Sequence, residues 1–131
     1  MIVDSSVILA ILQDEPEGPA CLLAVGRAPI VRLSAASFFE AALVIDAKRN
    51  PIATRRFDDF IRSSAAIIEP VTETQARIAR EAYRDFGKGS GHPARLNFGD
   101  CFAYALAKDQ DEPLLFIGQD FVHTDIGRVL N

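Results

Sequence analysis

Short apolar runs alternate along this chain with longer stretches in which apolar residues return every three or four positions. The short runs are Met1–Asp4, which ends in an acid, Pro29–Leu33, Ala65–Glu69 and Leu114–Ile117. They are too brief for helices and rich in branched residues, which predicts strands buried on both faces. Ser5 and Ser6 offer a cap to a first helix over Val7–Leu12, and Glu15-Pro16 predicts the start of a second that carries Leu22, Leu23 and Val25 to Gly26. Ser34 or Ser37 caps a third, on which Phe38, Ala41, Ala42 and Ile45 share a face before Asn50-Pro51 ends it. From Pro51 a fourth helix turns Phe57, Phe60 and Ile61 inward and Arg55, Arg56, Asp58, Asp59 and Arg62 mostly outward.

Thr72 with Gln75 makes a capping-box signature for a fifth helix, through Ile78, Ala82 and Tyr83 to Gly87. Gly87–Pro93 reads as a loop, and Asn97 or Phe98 opens a last helix through Asp100 to Lys108. Strand and helix in alternation predict βαβ units and an α/β domain. The expected architecture is three-layered, α/β/α, with a central parallel sheet of four or five strands. A length of 131 residues fits one domain over 1–131, with no internal repeat or linker.

Composition narrows the function classes. Hydrophobic residues make up 49% and charged residues 24%, the usage of an ordinary globular protein. A net charge of −4 argues against coating nucleic acid by bulk electrostatics. Cys21 and Cys101 lie inside apolar runs and match no zinc or disulfide spacing, so they read as core residues of a reducing compartment. Neither a basic leader nor an apolar run of membrane-spanning length is seen, and a cytoplasmic protein is expected.

Four carboxylates change the picture. Asp4 and Asp120 each follow a predicted strand, while Glu40 and Asp100 lie in the first turns of predicted helices, so all four point to one rim of the sheet. Converging anions repel unless a cation sits among them. Oxygen ligands without histidine or cysteine select Mg²⁺, or Mn²⁺ in its place, and the chemistry that follows is metal-assisted attack of water on a phosphodiester. Ser6, two residues past Asp4, is placed to orient the cluster. Arg84, Lys88 and Arg95 form a basic approach to it for a phosphate backbone.

Each residue also has a purely structural reading. Ser37 with Glu40 is a capping-box pair in its own right, and Asp100, three residues after Asn97, is an acid that complements the helix dipole. Gly118-Gln119-Asp120 is an ordinary turn, Ser6 an ordinary helix cap, and Arg77, Arg80 and Arg84 an ordinary solvated stripe. Gly87–Gly91 lacks the residue order of a phosphate-binding loop. His92 and His123 have no site role.

Met1-Ile2-Val3-Asp4-Ser5-Ser6, Ser37-Phe38-Phe39-Glu40-Ala41-Ala42, Leu96–Ala107 around Asn97-Phe98-Gly99-Asp100, and Leu114–Phe121 resemble, in order, the motifs of PIN-domain ribonucleases, and among them the VapC toxins of VapBC toxin–antitoxin pairs. The resemblance implies a Mg²⁺-dependent endoribonuclease that inhibits growth, is neutralised by a VapB-type antitoxin and forms a homodimer. It carries Asp4, Glu40 and Asp100 over as metal ligands. Position 119 is Gln where relatives often have an acid, which leaves Asp120 as the fourth carboxylate at that pair of positions. Two other classes compete: a non-catalytic PIN-like module that binds RNA or protein, and an aspartyl-phosphate transferase. The latter is disfavoured because Ser6, not a second aspartate, follows Asp4 by two.

Overall fold

The computed structural model describes residues 1–130. Four strands, β1 (Ile2–Val3), β2 (Arg32–Ser34), β3 (Ile67–Glu69) and β4 (Leu114–Leu115), form one sheet in the order β3-β2-β1-β4. All neighbours are parallel, with Ile2 beside Leu114 and Val3 beside Leu115. Six helices connect and cover them: α1 (Ser5–Leu12), α2 (Gly18–Arg27), α3 (Ala35–Asp46), α4 (Pro51–Ser63), α5 (Glu73–Phe86) and α6 (Phe98–Gln110).

The paired apolar residues of β1 and β4 explain the layers. Successive strand residues face opposite sides, so Ile2 and Leu114 enter a core with Ala82, Leu96, Leu106 and Phe121, while Val3 and Leu115 enter another with Val7, Leu33, Ile45 and Phe57. Helices α5 and α6 build the first core; α1 to α4 build the second. Free Cys21 and Cys101 are buried, one in each core, as the sequence predicts.

Two expected boundaries shift, and a third is decided between its two candidates. The second helix begins at Gly18, with Pro19 in its first turn, rather than at Pro16. A Cβ on Gly18 would lie 2.9 Å from the Ala10 carbonyl oxygen, so the close approach of α2 to α1 fixes the start there. Asp4, not Ser5 or Ser6, caps α1, and Ser34, not Ser37, caps α3. Ser37 lies inside α3, buried, with no hydrogen-bond partner for its hydroxyl among the described residues, so the Ser37–Glu40 capping box does not form.

β1 lies at the centre, where successive strands step outward to β2 and β3 and the chain then returns to β4 on the other side. Such a reversal leaves a crevice beyond the carboxyl ends of the strands. Asp4 leaves β1 at that point.

Candidate active site

Asp4 is fixed from both directions. Its backbone N–H donates to Leu115 O at 3.0 Å, tying it to the end of β4, and its carboxylate accepts from Ser6 N at 3.1 Å as the cap of α1. Only 4% of the residue is exposed. Burial pushes its carboxyl above the ordinary aspartate range and Glu40 pushes the same way, while hydrogen bonds from Ser6 oppose them.

Asp100 enters from the other core. Asn97 caps α6 by accepting from Asp100 N at 2.9 Å, and Asp100 accepts from Asn97 N at 2.9 Å, a complete capping box. The box fixes the Asp100 side chain at the start of α6. Burial above all, opposed by the bond from Asn97 and reinforced by the charges of Asp4 and Asp120, raises its pKa to about 7. Asp120, exposed in the turn after β4, is near enough for its charge to act on Asp100.

Glu40 projects from α3 toward Ser5, whose Oγ donates to Glu40 Oε1 at 2.5 Å. The other carboxylate oxygen lies where a Cβ on Gly99 would have to go, so Gly99 leaves room for Glu40 beside Asp100. Sequence reasoning did not single out Ser5 or Gly99, whose contacts with Glu40 join distant segments of the chain. Ser6 is close to Asp4 as expected, but its Oγ also accepts from Ile117 N at 3.1 Å, fastening the segment after β4 to α1.

The four acids form a chain of neighbours, Glu40 to Asp4 to Asp100 to Asp120. Among the described residues, no three His, Cys, Asp or Glu side chains are already drawn together tightly enough to enclose an ion. Like charges explain the open arrangement, with Glu40 held back on Ser5. None of the four is in a salt bridge among the described residues. Two buried aspartates without a cation are costly, and an all-oxygen donor set fits a small hard divalent ion.

Lys88 and Arg95 border a cleft of about 360 Å³ with Asn97, Gln119 and Asp120. Arg84 does not line that cleft; it pairs with Asp85 on the surface of α5, and Arg77 pairs with Glu73. His92 packs edge-on against Phe86 at 4.9 Å, away from any ligand role.

A PIN domain model matches residues 1–127. Ribonuclease VapC28 of Mycobacterium tuberculosis is 54% identical over 131 residues, covering 100% of this chain and 98% of the relative. Ribonuclease VapC42 of the same organism is 45% identical over 126 residues, with 96% of each covered. Among solved structures, Mycobacterium tuberculosis VapC20, described as a sarcin-ricin loop cleaving toxin, superposes with a TM-score of 0.74 at 20% identity, covering 98% of this chain and 97% of that one. A toxin–antitoxin complex from Klebsiella pneumoniae gives 0.71 at 14% identity, with 95% and 92% covered.

Proposed function

The chain belongs to the PIN domain family and is an endoribonuclease of the VapC toxin type, and on that premise we propose that Asp4, Glu40, Asp100 and Asp120 form its Mg²⁺-dependent catalytic centre. The family's ribonucleases depend on divalent metal. The choice of Mg²⁺, with Mn²⁺ as a substitute, rests on the hard oxygen donors. The observation that carries the reading is the pair of buried aspartates, Asp4 and Asp100, with no cationic side chain among the described residues bonded to either.

Bound there, a divalent ion supplies neutralisation of the charge that grows on phosphate oxygens and acidifies the attacking water. The protein's part is placement. Asp4 and Asp100 are the direct contacts, rigid because one caps α1 and the other closes the α6 capping box. Glu40 waits on Ser5, and Asp120 at the rim meets the solvent from which the water comes. Ser6 is a positioning residue that keeps the end of β4, and hence Asp120, beside Asp4.

VapC toxins pair with antitoxins. A VapB-type antitoxin, an RNA substrate whose cleavage inhibits translation and growth, and a homodimer complete the reading for this chain, with action in the cytoplasm. Among the described residues no helix is long and apolar enough to cross a membrane. The test is expression of Asp4→Asn and Asp100→Asn in a bacterium alongside cleavage of RNA by the purified proteins in Mg²⁺. Both variants should lose growth arrest and cleavage; full activity in either removes the assignment.

A further inference from the structure

We propose that the cleft between the Gly87–Asn97 segment and the Gly118–Asp120 turn seats an RNA phosphate next to the scissile one, clamped by Lys88 and Arg95. This deepens the ribonuclease reading and rests on it. The cleft, about 360 Å³, lies in the ~300–1,000 Å³ range of small-ligand sites, and it opens at Asp120, at the rim of the acid cluster. Lys88 and Arg95 are exposed, and neither is in a salt bridge among the described residues. Two free cations there outweigh the one carboxylate of the cleft, Asp120, because its neighbour is the neutral Gln119. An acid at 119 would cancel that excess.

The cations are held on fixed backbone. Lys88 N donates to Leu96 O at 2.8 Å and Leu96 N to Phe86 O at 2.9 Å, so both ends of the loop are stitched together. Ser90 and His92 cross-link its interior through Gly87 O and Ala94 N. Ala94 and Leu96 are buried on either side of Arg95, which takes a left-handed backbone, φ +54°, and turns its side chain outward between them. Such a conformation is unfavourable for a non-glycine residue and persists where surrounding structure over-determines it. A polyanion nearing four carboxylates is repelled; a clamp one phosphate away offsets that repulsion without touching the reacting atoms.

The test measures binding apart from turnover. In an Asp4→Asn background, Lys88→Gln and Arg95→Gln are titrated with a mixed-sequence single-stranded oligoribonucleotide by fluorescence anisotropy across a salt series. Each should weaken binding roughly tenfold and flatten the slope of log K against log salt by about 0.7, while Arg95→Lys retains most of the affinity. In the otherwise unaltered enzyme both Gln variants should raise KM and leave kcat within about twofold. Arg84→Gln, which removes the same charge outside the cleft, should change little. Equal effects from Arg84→Gln, unchanged affinity in both Gln variants, or no binding by the Asp4→Asn parent would overturn the clamp. Cleavage surviving in Asp4→Asn and Asp100→Asn would instead overturn the underlying reading.

Discussion

Ser5 Oγ donates a 2.5 Å hydrogen bond to Glu40 Oε1 across 35 residues of sequence, from the first turn of α1 to the second of α3. Ser5 is buried and Glu40 half-buried, so the bond sets where that carboxylate stands when an ion arrives. Outer partners of this kind are worth roughly 10–100-fold in metal affinity or activity. Ser5→Ala should therefore raise the Mg²⁺ concentration needed for half-maximal cleavage by about that factor, with Ser5→Thr closer to the parent. A metal titration of cleavage that is unchanged in Ser5→Ala would remove Ser5 from the site.

Gly99 sits on the other side of Glu40. A methyl group on it would meet the Glu40 carboxylate, which is the free end of a flexible side chain and can swing aside at little cost to folding. Alanine is the better helix former by at most ~1 kcal/mol. Gly99→Ala should thus melt at or slightly above the parent temperature and lose cleavage by roughly tenfold or more, as Glu40 is displaced. Stability and activity lost together would point to disruption of α6 instead.

What could be read from the sequence was whatever is local. Asn97 and Asp100 are three residues apart, and a helix start with an acid suited to its dipole follows from residue type and spacing, while the reciprocal capping box is added by the structure. The apolar pairs of β1 and β4 announce strands covered on both faces, and Asp4 after β1 announces a charge that needs a partner. The choice between two offered caps has a different cause. Ser34 and Ser37 are both good cap residues, and the choice depends on where β2 stops pairing with β3, at Ser34–Glu69. Ser5–Glu40 and Gly99–Glu40 are meetings of distant segments, for which residue type carries no signal.

Those two serines give a stability test. The Ser34 side chain accepts from Ala36 N at 3.3 Å, and losing a helix cap costs ~1 kcal/mol. The Ser37 hydroxyl is buried without a partner among the described residues, a state that itself costs ~1–3 kcal/mol. Urea denaturation should therefore show a lower midpoint for Ser34→Ala and an equal or higher one for Ser37→Ala. The reverse order would mean that Ser37 is the residue that closes the helix.

The metal-free protein should grow less stable as pH rises toward neutrality. Asp100 carries its proton to about pH 7 in the folded chain, through burial and the charges of Asp4 and Asp120, against 3.8 for an unperturbed aspartate. Below the lower value both folded and unfolded forms are protonated and nothing is lost. Between the two values the folded form binds a proton that the unfolded form has released, so unfolding stability falls with pH until the higher value is passed. Asp4, also raised, acts in the same direction. Glu112, lowered by the Met1 amino group and Arg32 against the effect of its own burial, and Asp125, lowered chiefly by Lys108, act the opposite way, but below the ordinary carboxylate range and so outside this window. A divalent ion competes with the proton, so Mg²⁺ should raise Tm more at pH 8 than at pH 5. Thermal melts in EDTA and in Mg²⁺ across that interval check both statements. Asp100→Asn should flatten the EDTA profile, and a parent Tm in EDTA that climbs steadily from pH 5 to 8 would show that these carboxyls are not held protonated by their neighbours.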